Sequence, residues 1–202
     1  MDTKVFNSTH LNEIIKCINE GEIVAFPTDT VYGLAIRYDI ENAIDKMVEV
    51  KGRPEGKPFA LLVSSIKHIE KVARLTPRDH LLIERLLPGA VTILFNKNDY
   101  IDDKYTFGKQ TIAIRMLDKM VISEVVKKIN VPLLLTSANI SGMPDCTNSD
   151  QVLKEFKGKI GGIIDGVSYG DKPSTIIDAS SEELRVIRQG TLTLDEVLER
   201  IK

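Results

Sequence analysis

Cysteine is scarce in this chain of 202 residues, which contains only Cys17 and Cys146. Neither belongs to a CxxC pair or a cysteine and histidine cluster, so the sequence predicts neither a disulfide framework nor a structural zinc site. A chain without disulfides is typical of a reducing compartment. We therefore expect a cytoplasmic protein with no metal ligands of its own.

Tryptophan is absent, aromatic residues make up only 5% of the chain, and 27 Lys and Arg nearly balance 29 Asp and Glu. Proteins that coat nucleic acid usually carry a cationic excess, and those that bind single strands stack bases on aromatic rings. The composition therefore argues against a protein dedicated to nucleic acid. A local basic patch remains compatible with it.

Long apolar runs are also missing, since no stretch approaches the roughly 20 residues that a membrane-spanning helix needs. The N-terminal segment alternates polar and apolar residues at helical spacing and lacks the apolar core of a signal peptide. We therefore expect a soluble protein that contacts no membrane and whose N-terminus belongs to the fold.

Hydrophobic periodicity predicts a mixture of helices and strands. The predicted helices begin near Leu11, Ile40, Thr76, Val121, Ser149 and Thr193. The predicted strands are Ile23–Thr28, Phe59–Val63, Ala90–Phe95, Thr111–Met116, Pro132–Thr136, Gly162–Asp165, Ser174–Ala179 and Leu184–Arg188. Helices and strands alternate early and strands cluster late, which favours an α/β (α+β) fold with a twisted, mixed parallel and antiparallel sheet, the late strands pairing with one another. At roughly 150 residues per domain, the length favours a single domain over residues 1–202.

The familiar nucleotide and nucleophile signatures are missing, namely the P-loop, a GxGxxG after a strand and a GxSxG elbow. The three histidines lie in separate helical patterns, which argues against a histidine-based triad. Polar and small residues gather instead in segments that follow apolar runs or lie between prolines. These segments are residues 26–34, 51–58, 136–142, 173–178 and 186–190.

Each segment has a functional and a purely structural interpretation. Thr28 and Thr30 can hydrogen-bond a small polar ligand packed under Tyr32, or they can cap their own turn. The stiff basic loop around Arg53 can bind polyphosphate, because arginine holds phosphate oxygens bidentately, or it can be a solvated loop. The small residues at 136–142 can let an anion approach the backbone or form an ordinary turn. The residues alone leave these alternatives open.

In combination and order, these segments resemble the YrdC-type threonylcarbamoyl-AMP synthase family. The resemblance rests on FPTDTVYGLA, KGRP with a trailing Lys-Pro, TIAIR, TSANISG, PSTIID and VIRQG. It covers nearly the whole chain, and FPTDTVYGL together with SANISG is its most specific part. The resemblance implies a single YrdC-like domain, with flanking helices and a deep, central, positively charged cavity.

The resemblance also implies a nucleotidyltransferase that joins L-threonine, bicarbonate and ATP into threonylcarbamoyl-AMP and releases pyrophosphate. A downstream transferase then passes the threonylcarbamoyl group to the adenosine beside the anticodon of tRNA. The positions that resemble the family's threonine-binding residues are Thr30, Arg115, Ser137 and Ser174. Those that resemble its ATP-binding residues are Lys51, Arg53, Lys57, Thr111, Asn139, Thr147 and Arg188, with Lys51 and Arg53 as the catalytic candidates.

The charged residues suit this chemistry. Threonine carbamate is already an anionic nucleophile, so the protein must mainly bring two anions together and neutralise the triphosphate. Lys51, Arg53 and Arg188 supply the positive charge, which explains why no histidine base is evident. Mg²⁺ is expected on the phosphates, and Asp29 or Asp178 can orient its waters or serve as turn residues.

Three positions depart from the common family pattern. Leu62 stands where many relatives carry a histidine, so it offers no hydrogen bond to threonine. Lys57 replaces an asparagine found in several relatives and adds charge near the nucleotide. Cys146 replaces a common proline in the loop after SANISG.

Two other functions remain open at this point. One is a paralogue of the same fold that acts on another carbamoyl or acyl-adenylate substrate. The other is an RNA-binding module that uses the cationic cavity for tRNA or double-stranded RNA, although the balanced charge and scarce aromatic rings offer such a module little.

Overall fold

The computed structural model describes residues 2–52 and 58–202. Arg53 and Lys57, two of the predicted ATP contacts, therefore lie outside the described residues. Within the described ranges the chain forms ten strands, seven α-helices and one short 3-10 helix at Asp103–Tyr105.

The α-helices are α1 (Leu11–Asn19), α2 (Ala43–Lys51), α3 (Ile66–Val72), α4 (Pro77–Leu86), α5 (Val121–Ile129), α6 (Ser149–Phe156) and α7 (Leu194–Arg200). The strands are β1 (Lys4–Phe6), β2 (Val24–Phe26), β3 (Gly33–Arg37), β4 (Ala60–Val63), β5 (Val91–Asn96), β6 (Thr111–Met116), β7 (Leu133–Ser137), β8 (Gly162–Ile164), β9 (Thr175–Asp178) and β10 (Arg185–Arg188). None of the helices in the described part of the chain is long and apolar enough to cross a membrane.

Helix α4 begins where its sequence predicts. The hydroxyl of Thr76 accepts a hydrogen bond from the Asp79 amide at 3.2 Å, and the Asp79 carboxylate accepts one from the Thr76 amide at 2.9 Å. This capping box satisfies two amides that have no partner inside the helix. Pro77 follows at the first helical position, where no amide hydrogen is needed.

All ten strands join one sheet in the order β1-β8-β2-β3-β7-β4-β6-β5-β9-β10. Parallel pairs are β1/β8, β2/β8, β4/β6 and β5/β9, and the other five neighbouring pairs are antiparallel. The predicted mixed α/β sheet is therefore confirmed.

The sheet separates two apolar layers, because successive strand residues point to opposite faces. Met47 of α2 and Leu82 of α4 pack in the first layer with Ile114 of β6. Ile14 of α1 and Val125 of α5 pack in the second layer. Helices thus cover both faces, and their apolar stripes hold the sheet between them.

Four elements escaped the sequence analysis: β1, β3, α3 and the 3-10 helix at Asp103–Tyr105. Strand β3 follows the polar segment at residues 28–30, whose hydroxyls suit a turn or a ligand site rather than a strand. Its first four residues are nevertheless buried, and it pairs with β2 and β7. Strand β1 has only three residues, too few for a periodic pattern.

The expectation that the late strands pair with one another is only partly right. Strands β9 and β10 are antiparallel neighbours, but β8 pairs in parallel with β1 and β2 on the far side of the sheet. The connecting segment crosses between them, since the amides of Tyr169 and Gly170 donate to the carbonyls of Thr28 and Thr30 at 3.1 and 2.9 Å. At α6, Asn148 rather than Ser149 is the N-cap, its side chain accepting from the Gln151 amide.

Ile114 tests the first apolar layer. Its side chain is fully buried on β6, so Ile114→Ala is expected to lower the free energy of unfolding by about 2–5 kcal/mol, because it removes buried methyl groups and leaves a cavity. Urea denaturation followed by circular dichroism measures this change. Ile187 on β10 is 56% exposed, and Ile187→Ala serves as the control with a change below about 0.5 kcal/mol. Equal losses at the two positions would contradict the assignment of Ile114 to the core.

Candidate active site

The candidate site lies where the second face of the sheet is lined by small and polar side chains. Helices α1 and α5 pack against that face near β2, β3 and β7. On β4, β6 and β5 the same face carries Ala60, Ala113, Arg115 and Thr92, which line a cavity. The short side chains leave room that large apolar residues would fill.

The cavity has a volume of about 160 Å³. Its lining includes the turn after β2, the end of β7, the start of β9 and the end of β10. The described lining residues are Thr28, Thr30, Val31, Tyr32, Gly33, Pro58, Ala60, Thr92, Ala113, Arg115, Leu135, Thr136, Ser137, Pro173, Ser174, Ile176 and Arg188. Among them are two arginines and no acidic side chain.

Arg115 is the most deeply buried charge of the cavity, with 5% of its surface exposed. Its Nη2 donates to the carboxylate of Asp29 and, at 3.1 Å, to Thr30 Oγ1. Burial lowers the pKa of the guanidinium, and the neighbouring Asp29 opposes that shift. Among the described residues, Nε of Arg115 has no hydrogen-bond partner although it is buried.

The turn after β2 combines the two interpretations that the sequence left open. Thr28 Oγ1 donates to the carbonyl of Val31 at 2.6 Å and accepts from the amide of Thr30 at 3.1 Å. Thr28 therefore caps its own turn. Its hydroxyl also lies 3.1 Å from that of Thr30, which places Thr30 Oγ1 between Thr28 and Arg115 on the cavity wall.

Lys51, a predicted ATP contact, donates its described hydrogen bonds to the turn that follows β7. It is 2% exposed at the end of α2. Its Nζ donates to the carbonyls of Ser137 and Asn139 at 2.6 and 2.9 Å, and to Asn139 Oδ1 at 2.9 Å. The ammonium group thus holds the turn that follows β7, and Lys51 is not among the described lining residues.

The same turn is closed by side chains. Asn139 Oδ1 also accepts from the Ser137 hydroxyl at 2.8 Å, and Asn139 Nδ2 donates to the carbonyl of Met143 at 2.7 Å. The amide of Asn139 therefore shapes the turn, while Ser137 lies on the cavity wall. Tyr32 and Cys146 add backbone support, since the Tyr32 amide donates to the Cys146 carbonyl at 2.8 Å.

Arg188 and Ser174 form the opposite wall. Arg188 Nη2 donates to the Ser174 carbonyl at 2.8 Å and lies 3.4 Å from its hydroxyl. Burial lowers the pKa of Arg188, Asp145 raises it, and the charge of Arg115 lowers it again. The two arginines therefore repel each other across the cavity, a cost that an anionic ligand would relieve.

Close backbone packing brings Arg188 to this position. Thr175 Oγ1 accepts from the amides of Gly190 and Leu192 at 3.0 and 3.1 Å. A Cβ on Gly190 would lie 2.2 Å from the carbonyl oxygen of Pro173. Only glycine fits here, and the glycine of the VIRQG segment thus lets the end of β10 rest on the start of β9.

The structure brings together five of the residues predicted to bind substrate. Thr30, Arg115, Ser137, Ser174 and Arg188 all line the cavity. Lys51, Thr111, Asn139 and Thr147 are not among the described lining residues. Thr147 instead bonds Gln151 through its amide and hydroxyl, and Thr111 begins β6 opposite Asn96, on the same face as Ala113.

The structure also places four other residues named in the sequence analysis. The ring of Tyr32 is fully buried and its hydroxyl donates to the carbonyl of Ile164 at 2.8 Å, so the ring anchors the core. Leu62 packs in the second apolar layer. Burial raises the pKa of the Cys146 thiol to about 11. Asp178 accepts from the amide and hydroxyl of Ser180 and is thus a turn residue.

Thr92 is a cavity residue that the sequence analysis missed. It lies within the apolar run Val91–Asn96. The two residues beside it, Val91 and Ile93, are in the first apolar layer. A polar residue between two core residues of a strand points to the other face. That alternation was visible in the sequence and could have identified Thr92.

Known proteins resemble the chain over most of its length. A family model of Sua5, YciO and YrdC proteins, described as telomere recombination, matches residues 16–190. Threonylcarbamoyl-AMP synthase from Pyrococcus abyssi is 36% identical over 183 residues, which are 89% of this chain and 54% of that protein. The Bacillus subtilis protein of the same name is 31% identical over 194 residues, which are 95% of this chain and 56% of that protein.

A solved structure agrees with these sequence relatives. The crystal structure of P. abyssi Sua5 complexed with L-threonine matches with a TM-score of 0.89 and 33% sequence identity, covering 99% of this chain and 60% of that chain. The chain therefore spans little more than half the length of the relatives described.

Lys51→Met tests whether the buried ammonium holds the turn after β7. The substitution removes the ammonium donor that three oxygens share, and we expect the free energy of unfolding to fall by about 1–3 kcal/mol. Lys46→Met on the same helix is the control, because Lys46 Nζ donates to a single carbonyl, that of Gly21. Urea denaturation measures both changes. An unaltered stability of Lys51→Met would contradict the proposed support of the turn.

Proposed function

The chain belongs to the Sua5, YciO and YrdC family, and on that premise we propose that it is an L-threonylcarbamoyladenylate synthase. Its substrates would be L-threonine, bicarbonate and ATP, and its products threonylcarbamoyl-AMP and pyrophosphate. This assigns the enzyme to the nucleotidyltransferases. The product would serve the modification of the adenosine next to the anticodon of tRNA.

The buried guanidinium of Arg115 on the cavity wall is the observation that carries the proposal. A buried guanidinium fits a carboxylate, which accepts several hydrogen bonds at once. The hydroxyls of Thr30, Ser137 and Ser174 surround the same cavity and suit an amino acid that carries a hydroxyl of its own. We assign these four residues to L-threonine.

The ATP site is proposed to lie beside them. Once Arg115 is assigned to threonine, Arg188 is the remaining cation among the described lining residues. It would bind the phosphates. Arg53 and Lys57, outside the described residues, are proposed to add charge there, and Thr111, Asn139 and Thr147 to complete the site. Lys51 is proposed to act by holding the turn that presents Ser137.

The proposed reaction needs positioning more than acid or base catalysis. The amine of threonine and bicarbonate form a carbamate and water. A carbamate oxygen then attacks the α-phosphorus of ATP, and the bond to the pyrophosphate oxygen breaks. Arginine and lysine charges would lower the repulsion between the two anions and stabilise the charge that develops on the leaving group.

Mg²⁺ is proposed to arrive with ATP. The described residues contain no group of three or more His, Cys, Asp or Glu side chains placed to hold a metal ion. Asp29 pairs with Arg115, and Asp178 bonds Ser180. A magnesium ion that is bound mainly by phosphate oxygens and water fits this arrangement, since Mg²⁺ keeps several waters in such sites.

We further propose that residues 1–202 form one domain, because a single sheet contains strands from β1 to β10. A cytoplasmic location, a downstream tRNA threonylcarbamoyl transferase and direct contact with tRNA are proposed on the family relationship. A paralogue acting on another carbamoyl or acyl-adenylate would share the cavity. The identity of the amino acid in the product distinguishes the two.

The decisive experiment is detection of threonylcarbamoyl-AMP by mass spectrometry after incubation with ATP, threonine and bicarbonate. Pyrophosphate release is expected only when all three are present. Arg53→Ala should abolish it while the circular dichroism spectrum and melting temperature stay unchanged. Release of pyrophosphate without threonine, or an undiminished rate in Arg53→Ala, would contradict the synthase.

Arg115→Lys tests the threonine site more narrowly. Lysine keeps a positive charge near Asp29 but lacks the fork that binds a carboxylate at two points. We expect the KM for threonine to rise about 10- to 100-fold, the loss typical of a hydrogen bond to a charged group. Arg85→Lys on the exposed face of α4 is the control and should leave the KM unchanged. Steady-state pyrophosphate release at varied threonine measures both values.

A further inference from the structure

Thr92 lines the cavity with a buried hydroxyl that has no role in the proposed function. It is 4% exposed and lies on β5, and it lines the cavity beside Ser174. Its Oγ1 is 3.0 Å from Ser174 Oγ, and either hydroxyl can be the donor in that bond. In a hydrogen bond between two hydroxyls, only one of them donates its proton to the other.

The strand register places Thr92 between the two walls of the cavity. In the antiparallel pair of β5 and β6, Ile93 lies opposite Ile114. Thr92 and Arg115 are the next residues on the two strands, and they therefore also lie opposite each other. On the other side, β5 runs parallel to β9, where Thr92 pairs with Ile176. Thr92 therefore lies between the strand that carries Arg115 and the strand that begins after Ser174.

The donors around Ser174 Oγ determine which direction of its hydrogen bond with Thr92 leaves a proton for a ligand. Ser174 Oγ lies 3.4 Å from Arg188 Nη2, a group that only donates. If Thr92 also donates to Ser174, the serine oxygen has two donors and its own proton is free for the cavity. If Ser174 donates to Thr92, the serine offers only lone pairs to a ligand.

An anionic or hydroxyl-bearing ligand selects the first arrangement. The carboxylate and carbamate oxygens of the proposed substrate are acceptors, and the lining arginines already require an anion. A serine that has its proton directed into the cavity gives such an oxygen a donor. Thr92 then acts through Ser174 and does not touch the substrate itself.

We propose that Thr92 is a positioning residue, whose hydroxyl donates to Ser174 Oγ and thereby directs the Ser174 proton towards the amino-acid substrate. This inference rests on the proposed function and deepens it at the amino-acid half of the site. It assigns to β5 a part in substrate recognition in addition to its part in the core.

Thr92→Val tests the proposal, because valine keeps the shape of threonine and removes the hydroxyl. We expect the KM for threonine to rise about three- to tenfold, the loss of one neutral hydrogen bond, with the KM for ATP unchanged. Titration calorimetry of L-threonine without ATP should show the same loss of affinity. Thr92→Ser restores the hydroxyl and should restore most of the affinity. If the valine variant is unfolded by circular dichroism, Thr92→Ala replaces it.

A double-mutant cycle separates positioning from packing. In the Ser174→Ala background, Thr92→Val should cause no further loss of threonine affinity, because the group that it orients is gone. Thr106→Val, at another buried threonine outside the described lining, should leave threonine affinity unchanged in either background. Additive losses at Thr92 and Ser174, or a Thr92→Ser variant as weak as Thr92→Val, would overturn the proposal.

Failure of the inference differs from failure of the proposed function. Wild-type protein that makes threonylcarbamoyl-AMP while Thr92→Val keeps the wild-type KM for threonine would overturn the positioning role alone. Wild-type protein that neither binds L-threonine nor forms the product would overturn both.

Discussion

The candidate site depends on the ion pair between the buried Arg115 and the half-buried Asp29. Removing a guanidinium from water costs several kcal/mol unless a partner compensates. Asp29 supplies that partner from the turn after β2, and Thr30 supplies an additional acceptor. The pair therefore ties that turn to β6 across the sheet, and the rest of the wall is arranged around it.

The other cations are also committed to specific oxygens. Lys51 bonds the turn that presents Ser137, and Arg188 bonds the carbonyl of Ser174. The overall charge of −2 thus conceals cations that shape the walls of the proposed substrate site. The hydroxyls of Thr30, Ser137 and Ser174 on those walls each have a hydrogen-bond partner within the protein, so little reorganisation is needed when a ligand binds.

Sequence reasoning predicted most helices, the mixed sheet and five residues of the cavity, because apolar runs followed by polar residues mark strand ends. It missed β1 and β3, since three residues carry no period and Gly33 follows polar neighbours. It also did not predict that Lys51 holds the turn after β7. The acceptors of Lys51 lie more than 80 positions away along the chain, and only the folded sheet brings them to α2. Local pattern reports which residues are polar, whereas long-range contacts decide what those residues bind.

The order of the strands in the sheet has a consequence for how the cavity forms. Its walls come from segments spread between Thr28 and Arg188, and β1 pairs with β8 across most of the chain. No fragment that contains only one half of the sequence carries both arginines with their hydroxyl partners. A ligand of this cavity therefore binds only molecules in which segments from both halves of the chain have assembled, and its binding energy adds to the global stability rather than to that of a single loop. The size of that contribution is set by the free ligand concentration relative to the dissociation constant.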